Sequence, residues 1–181
     1  IFTGMFNALF LFTTMTMFQS PSVIFKFEPG VSTDGWQIVD DRVMGGRSQG
    51  LFVLNSESRG VFKGVVTTEN NGGFSSLRYN FEALKTAGFE SVVLKLKGDG
   101  KAYQFRLKSN SNDRHSYVYR FTTNGTLEEI VIPLKLFRPT FRGRALTLPN
   151  FDADALEQIA FLIGNKTNED FRLEIESISL R

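Results

Sequence analysis

The chain has 181 residues, with 21 Lys+Arg against 19 Asp+Glu for a net charge of +2, and it contains no Cys, one His, one Trp and 19 Phe. Its length suits one ordinary domain, and so even a charge balance supplies no electrostatic footprint for nucleic acid. The lack of Cys excludes disulfides, Cys-ligated zinc, iron–sulfur clusters and thiol nucleophiles, and the lone His115 excludes any site that needs two imidazoles.

Residues 1–25 carry no charge, and Lys26 is the first charged side chain. Within that stretch, Met5 to Phe18 reads MFNALFLFTTMTMF, which is apolar apart from Asn and Thr. It is too short for a membrane span of about 20 apolar residues, so no transmembrane span is expected. It has the length of a signal-peptide core, but the basic n-region is missing and Phe18-Gln19-Ser20 is a poor cleavage site. Residues 1–22 therefore read as an apolar leader or a mis-called start. The protein is exported or periplasmic if residues 5–18 act as a signal, and otherwise cytoplasmic, with Met15 or Met17 as alternative starts. Two sequons, at Asn124 and Asn165, leave that choice open.

Residues 23–181 read as a single β-sandwich domain. β-rich runs at Val23–Phe27, Leu51–Leu54, Gly60–Val66, Phe74–Phe81 and Ser91–Lys97 are separated by Gly, Asn, Asp, Ser or Pro. They continue at Ala102–Lys108, Ser116–Thr122, Leu127–Ile132, Ile159–Ile163 and Phe171–Leu180. Alternation assigns faces in the middle of the chain. Val92, Leu94 and Leu96 oppose Lys95 and Lys97; Tyr103, Phe105 and Leu107 oppose Gln104, Arg106 and Lys108; Tyr117, Tyr119 and Phe121 oppose Arg120 and Thr122. One wet and one buried face per strand favours antiparallel sheets, hence an all-β jelly-roll sandwich. One or two short helical turns are expected, at Glu82–Ala87 before Gly88 and at Asp152–Gln158, where Asp152 can cap.

Two Gly-rich segments stand out. In Trp36–Ser48, WQIVDDRVMGGRS, Gly45-Gly46 allows a sharp turn and close approach to another surface, and Arg47 is placed to meet a carboxylate or phosphate. A bulge or tight turn that closes the sandwich explains the same residues. In Glu69–Ser76, ENNGGFSS, Asn71-Gly72 signals a hairpin, while Phe74 and Arg78 beside a Gly-rich loop also suit a shallow ligand site. A third candidate is the polar face carrying Lys95, Arg106, Lys108 and Arg120, with Arg78 joining it; such a face is either solvated or a partner surface anchored by Arg. His115 lies in a polar turn and reads as a surface histidine. The aspartates at 40, 41, 99, 113, 152 and 154 show no EF-hand spacing for calcium, and no carboxylate pair is singled out for hydrolysis. No cofactor and no metal site is implied.

The blocks Trp36…DDRVMGGRS, Val61-Phe62-Lys63-Gly64 and ENNGGFSSLR, in this order and spacing, resemble the complex I intermediate-associated protein 30 family over about Phe25 to Arg181. The matching positions are Trp36, Asp41, Val43, Met44, Gly45, Gly46, Ser48, Phe62, Gly64, Asn70, Asn71, Gly72, Gly73, Phe74 and Arg78. The resemblance implies a galactose-binding-domain-like sandwich and a chaperone-like role in assembling NADH:ubiquinone oxidoreductase, and it implies no catalytic residue. The expected function is a non-enzymatic binding or assembly protein. Its protein partner, complex I intermediates in family members, would meet the Gly-rich loops and the polar face. A carbohydrate-binding module is the alternative, and a carboxylate-dependent hydrolase stands third.

Overall fold

The computed structural model describes residues 20–181, so the apolar run Met5–Phe18 lies outside the described residues. Thirteen strands run in chain order as β1 (Ser22–Lys26), β2 (Trp36–Asp40), β3 (Gln49–Leu54), β4 (Gly60–Val66), β5 (Ser75–Lys85), β6 (Ser91–Lys97), β7 (Ala102–Lys108), β8 (Ser116–Thr122), β9 (Leu127–Pro133), β10 (Arg138–Phe141), β11 (Arg144–Ala145), β12 (Ala155–Ile163) and β13 (Glu169–Leu180). They form two sheets. The first has the order β3-β4-β13-β6-β9, with β1 also paired to β13; the second has the order β11-β10-β8-β7-β12-β5-β2. Every pairing in both sheets is antiparallel.

The alternation read from the sequence decides which faces meet. Leu94 and Leu96 of β6, and Phe105 and Leu107 of β7, are fully buried, together with Phe62, Ile132, Ile159, Phe161, Leu173 and Ile175. These side chains fill the space between the sheets, and the apolar area they remove from water is the main driving force for the sandwich.

Both expected helical turns are absent, because their residues pair with each other. Ala155 lies opposite Lys85 and Leu156 opposite Leu84, as the end of the β5–β12 ladder. Helix preference amounts to less than about 1 kcal/mol per residue, whereas pairing buries Leu156 completely and packs Leu84 against the core. The helical turns that do form are short 3-10 segments elsewhere, at Asp41–Met44, Glu69–Asn71 and Leu134–Leu136. The hairpin expected at Asn71-Gly72 is also corrected. β4 and β5 belong to different sheets, so this segment carries the chain across the sandwich, and Asn70 and Asn71 adopt positive φ (55° and 60°), a conformation that Asn tolerates better than most residues.

One end of the core is aromatic. Trp36 of β2 stacks on Tyr79 of β5, with ring centroids 4.8 Å apart, and meets Phe25, Phe27 and Phe52 of the first sheet side at 5.3–5.5 Å. The indole thus joins the two layers, and its Nε1 is buried without a hydrogen-bond partner. Trp36→Ala should cost about 3–5 kcal/mol and lower Tm by roughly 10 °C, as measured by urea and thermal unfolding. A loss below about 1 kcal/mol would show that the sheets do not depend on this contact.

Candidate functional site

The two Gly-rich segments converge on one carboxylate. Asp41 follows β2 and has no exposed surface. Its side chain accepts four hydrogen bonds, from Ser48 N–H (3.0 Å), Ser48 Oγ–H (2.6 Å), Gly73 N–H (2.6 Å) and Phe74 N–H (3.3 Å). Thr67 N–H, just past β4, donates to Ser48 Oγ at 3.1 Å and extends the network. Burial alone would raise the Asp41 pKa. The hydrogen bonds from Ser48 Oγ and from the backbone of Gly73, Phe74 and Ser48 outweigh that and hold it below the ordinary carboxylate range.

The glycines are explained by the same group. A Cβ at Gly46 or at Gly72 would overlap the Asp41 carboxylate, so both loops come this close only because these positions have no side chain. Asp40, the neighbour in sequence, fastens a second point. It accepts from Gly50 N–H of β3 (3.0 Å) and from Ser75 Oγ of β5 (2.6 Å), and so bridges the two sheets.

The predicted site residues therefore separate. Trp36, Asp41, Gly46 and Ser48 are buried. Gly45, Arg47, Asn70 and Asn71 are exposed at the loop tips, and Gly72, Gly73 and Phe74 are half-buried. At the tips, Arg47 pairs with Glu69 at 3.0 Å and Asn70 Nδ2 donates to the Gly45 carbonyl at 3.2 Å. Met44 is exposed beside them. His115, expected on the surface, is half-buried; its ring meets Tyr117 edge-on at 5.1 Å and Nε2 is buried without a partner.

The polar face is real but needs one correction. Lys95 lies on the first sheet, where it pairs with Glu176, whereas Arg78, Arg106, Lys108 and Arg120 share the outer face of the second. The register sets Arg78 opposite Ala160 and Ala160 opposite Arg106, while Asn80, Gln158 and Lys108 form the adjacent row. Arg120 stands opposite Gln104. Gln104 Oε1 accepts from Arg106 Nε (3.2 Å) and Nη2 (2.8 Å), and the carbonyls of Ser111 and Asp113 accept from Lys108 Nζ. Burial, and then the neighbouring Arg78 charge, push the Arg106 guanidinium down to about 10. Lys108 is lowered by burial and by Arg78, against an opposing effect of Asp113, and Arg78 by burial. The sequence puts Gln104 on this face by alternation but does not single it out as a site residue, and it passes over Asn80 and Gln158, whose places opposite Gln158 and Lys108 respectively depend on strand pairing.

Two depressions lie elsewhere. One, of about 410 Å³, sits at the sandwich end between Thr86–Ser91 and Phe151–Asp154; the other, of about 610 Å³, lies beside Gly50, Lys63 and Arg172 on the first sheet. Among the described residues, no three or more His, Asp or Glu come together to hold a metal ion.

This architecture places the protein in the class of jelly-roll β-sandwiches typified by carbohydrate-binding modules. It is similar to the family 11 carbohydrate-binding module of the cellulosomal cellulase Lic26A-Cel5E of Clostridium thermocellum, with a TM-score of 0.67 and 18% identity over 89% of this chain and 94% of that one. A structure of the Clostridium thermocellum family 11 module in complex with a β-1,3-1,4-mixed-linked tetrasaccharide is similar at a TM-score of 0.66, with 18% identity over 88% of this chain and 94% of that one. Identity at this level establishes the shared fold.

Residues 25–175 match the family Complex I intermediate-associated protein 30, and the chain belongs to that family. It is 30% identical to an uncharacterized protein of Schizosaccharomyces pombe over 79% of this chain and 76% of that one. It is 23% identical to the mitochondrial Complex I intermediate-associated protein 30 of Mus musculus over 90% of this chain, spanning 56% of the mouse protein.

Removing the carboxylate should expose the cost of the clasp. Asp41→Ala strands several buried N–H donors and should destabilise by about 3 kcal/mol or more. In the wild type this stabilisation is complete above the unfolded carboxyl pKa of about 3.9 and is lost as pH falls through the lowered folded value. Denaturant midpoints measured from pH 7 to pH 2 test both points, and the variant should show a flatter acid limb. Gly46→Ala should cost more than Gly45→Ala, because Gly45 has open space and only its φ of 89° to accommodate, worth about 1–2 kcal/mol.

Proposed function

We propose that the protein is a non-catalytic binding module that holds a protein partner during assembly of NADH:ubiquinone oxidoreductase. It presents the outer face of the second sheet together with the exposed tips of the Gly-rich loops. The observation that carries this reading is the surface of Arg78, Arg106, Lys108 and Arg120 on a regular sheet. Partly desolvated arginines held by neighbouring side chains are the usual anchors of protein interfaces. Family membership supplies the assembly context, as the mouse relative's name does for that protein.

The carbohydrate reading rests on the shared sandwich. Neutral glycans are gripped largely by aromatic and apolar surfaces, and here every described Phe, Tyr and Trp is buried or half-buried. Trp36, the one Trp of the chain, belongs to the core, and Phe74 beside the Gly-rich loop is half-buried.

Affinity capture from detergent-solubilised respiratory membranes, followed by mass spectrometry, should recover complex I subunits with the wild-type protein. Recovery of none, with normal complex assembly in a deletion strain, would refute the proposal. Calorimetric titration with a mixed-linked β-glucan tetrasaccharide should show no saturable binding. Saturable binding would favour the carbohydrate reading instead.

A further inference from the structure

We propose that Arg78, Arg106 and Lys108, with Ala160 as the floor between them, form a carboxylate-binding site that receives an extended, acidic polypeptide segment across the outer face of the second sheet. The proposal rests on the protein-partner reading above and specifies the chemistry of the partner.

The first argument is the placement of charge. Among the described residues, the ion pairs link Lys26, Arg47, Arg59, Lys95, Lys101, Arg172 and Arg181 to nearby carboxylates. They lie on the first sheet or in loops, and none involves Arg78, Arg106, Lys108, Arg120 or Arg138. On the first sheet, Glu174 and Glu176 satisfy Arg59, Lys95 and Arg172. The rows Ser76–Leu162–Gln104, Arg78–Ala160–Arg106 and Asn80–Gln158–Lys108 of the second sheet hold cations and no carboxylate. The carboxylates near them, Asp113 and Glu157, lie at the Lys108 end, where Asp113 acts on Lys108 and Glu157 accepts from Ser111 N–H; Arg78 and Arg106 have no carboxylate partner among the described residues. Like charges held together and away from bulk water raise the energy of the unbound protein, and an anionic partner relieves it.

Preorganisation is the second argument. The Gln104 carbonyl holds Arg106 by two of its N–H groups, leaving the other donors of the fork directed elsewhere. Two backbone carbonyls anchor Lys108 and leave one donor. A site whose donors are already positioned loses less entropy when a ligand arrives. Ala160, set between Arg78 and Arg106 in the register, has a small side chain and is only 3% exposed, so the two arginine side chains lie close over it.

The third argument is dimension. Arg78 and Arg106 are separated by the single strand β12, about 10 Å at ordinary strand spacing, and the same row continues through Val118 to Arg138. From Arg78 to Arg138 is about 19 Å, the length of roughly six extended residues. An extended chain sends alternate side chains to one side about 7 Å apart, so several carboxylates of one segment reach this row together. Arginine forks suit planar carboxylates, and the lack of an exposed aromatic among the described residues favours a peptide over an acidic glycan.

The test uses a fluorescein-labelled peptide alternating Glu and Thr, its Gln-for-Glu counterpart, and oligogalacturonate as a non-peptide source of carboxylates. By fluorescence anisotropy at low salt, the wild type should bind the Glu peptide at least about tenfold tighter than the Gln peptide, and added salt should weaken binding. Arg78→Gln and Arg106→Gln, alone and together, should each weaken it, about tenfold or more for the pair, whereas Arg172→Gln on the opposite sheet should leave it unchanged. Amide shifts of Ala160 and Arg106 in the folded wild type should move on titration, which tests the site without any variant. No binding by the wild type, equal binding by the double variant, or preference for oligogalacturonate would overturn the site. If the double variant still captures complex I subunits from membranes, this site is wrong while the assembly reading stands. If the wild type captures none, the assembly reading falls whatever the peptide does.

Discussion

The Asp41 carboxylate, taken out of water and surrounded by the N–H groups of two different loops, is the constraint on which this molecule depends. An isolated buried carboxylate would be costly. Here four donors from Ser48, Gly73 and Phe74 offset that cost, and charge-assisted bonds of this kind are stronger than neutral ones. The bonds join the turn after β2 to the crossover before β5. Asp40 reaches in another direction to Gly50 and Ser75, so adjacent aspartates fix β2, β3 and β5 at one rim of the sandwich.

This gives the Gly-rich signature a structural meaning. Gly46 and Gly72 are small because the carboxylate lies where their side chains would be. Ser48 is buried because it donates to Asp41 and accepts from Thr67. The signature builds the rim, and only its exposed tips, near Met44, Gly45, Arg47, Asn70 and Asn71, remain available to another molecule. The partner surface proposed above is a separate one, the outer face of the second sheet, whose geometry comes from the β5–β12–β7 register. On the first sheet Glu174 and Glu176 pair with Arg59, Lys95 and Arg172, whereas Arg78, Arg106 and Arg120 of the second have no ion-pair partner among the described residues, a difference that total net charge does not reveal.

Much of the fold was legible in the sequence because period-two alternation in β6, β7 and β8 is strong, and the buried and wet faces followed it. The errors arose where local preference and tertiary pairing disagree. Glu82–Ala87 and Asp152–Gln158 look helical in isolation, yet Leu84 and Lys85 of the one are the ladder partners of Leu156 and Ala155 of the other. Asn71-Gly72 looks like a hairpin turn, but the strands on either side belong to different sheets. The candidate site was half legible. Arg78, Arg106 and Arg120 were grouped correctly because alternation fixes the face, while Lys95 was misplaced because alternation does not say which sheet a strand joins. That Asp41 and Gly72 meet depends on a contact between distant segments, which spacing along one sequence does not encode.

The most direct test of the clasp is the ionisation of Asp41 itself, followed through its side-chain carboxyl ¹³C resonance as pH is lowered, with the Gly73 and Ser48 amide protons recorded in the same titration. The account predicts a midpoint below the ordinary Asp value of about 3.9, with both amide signals shifting in step with the carboxyl. A midpoint at or above that value, or amides that ignore the titration, would contradict it.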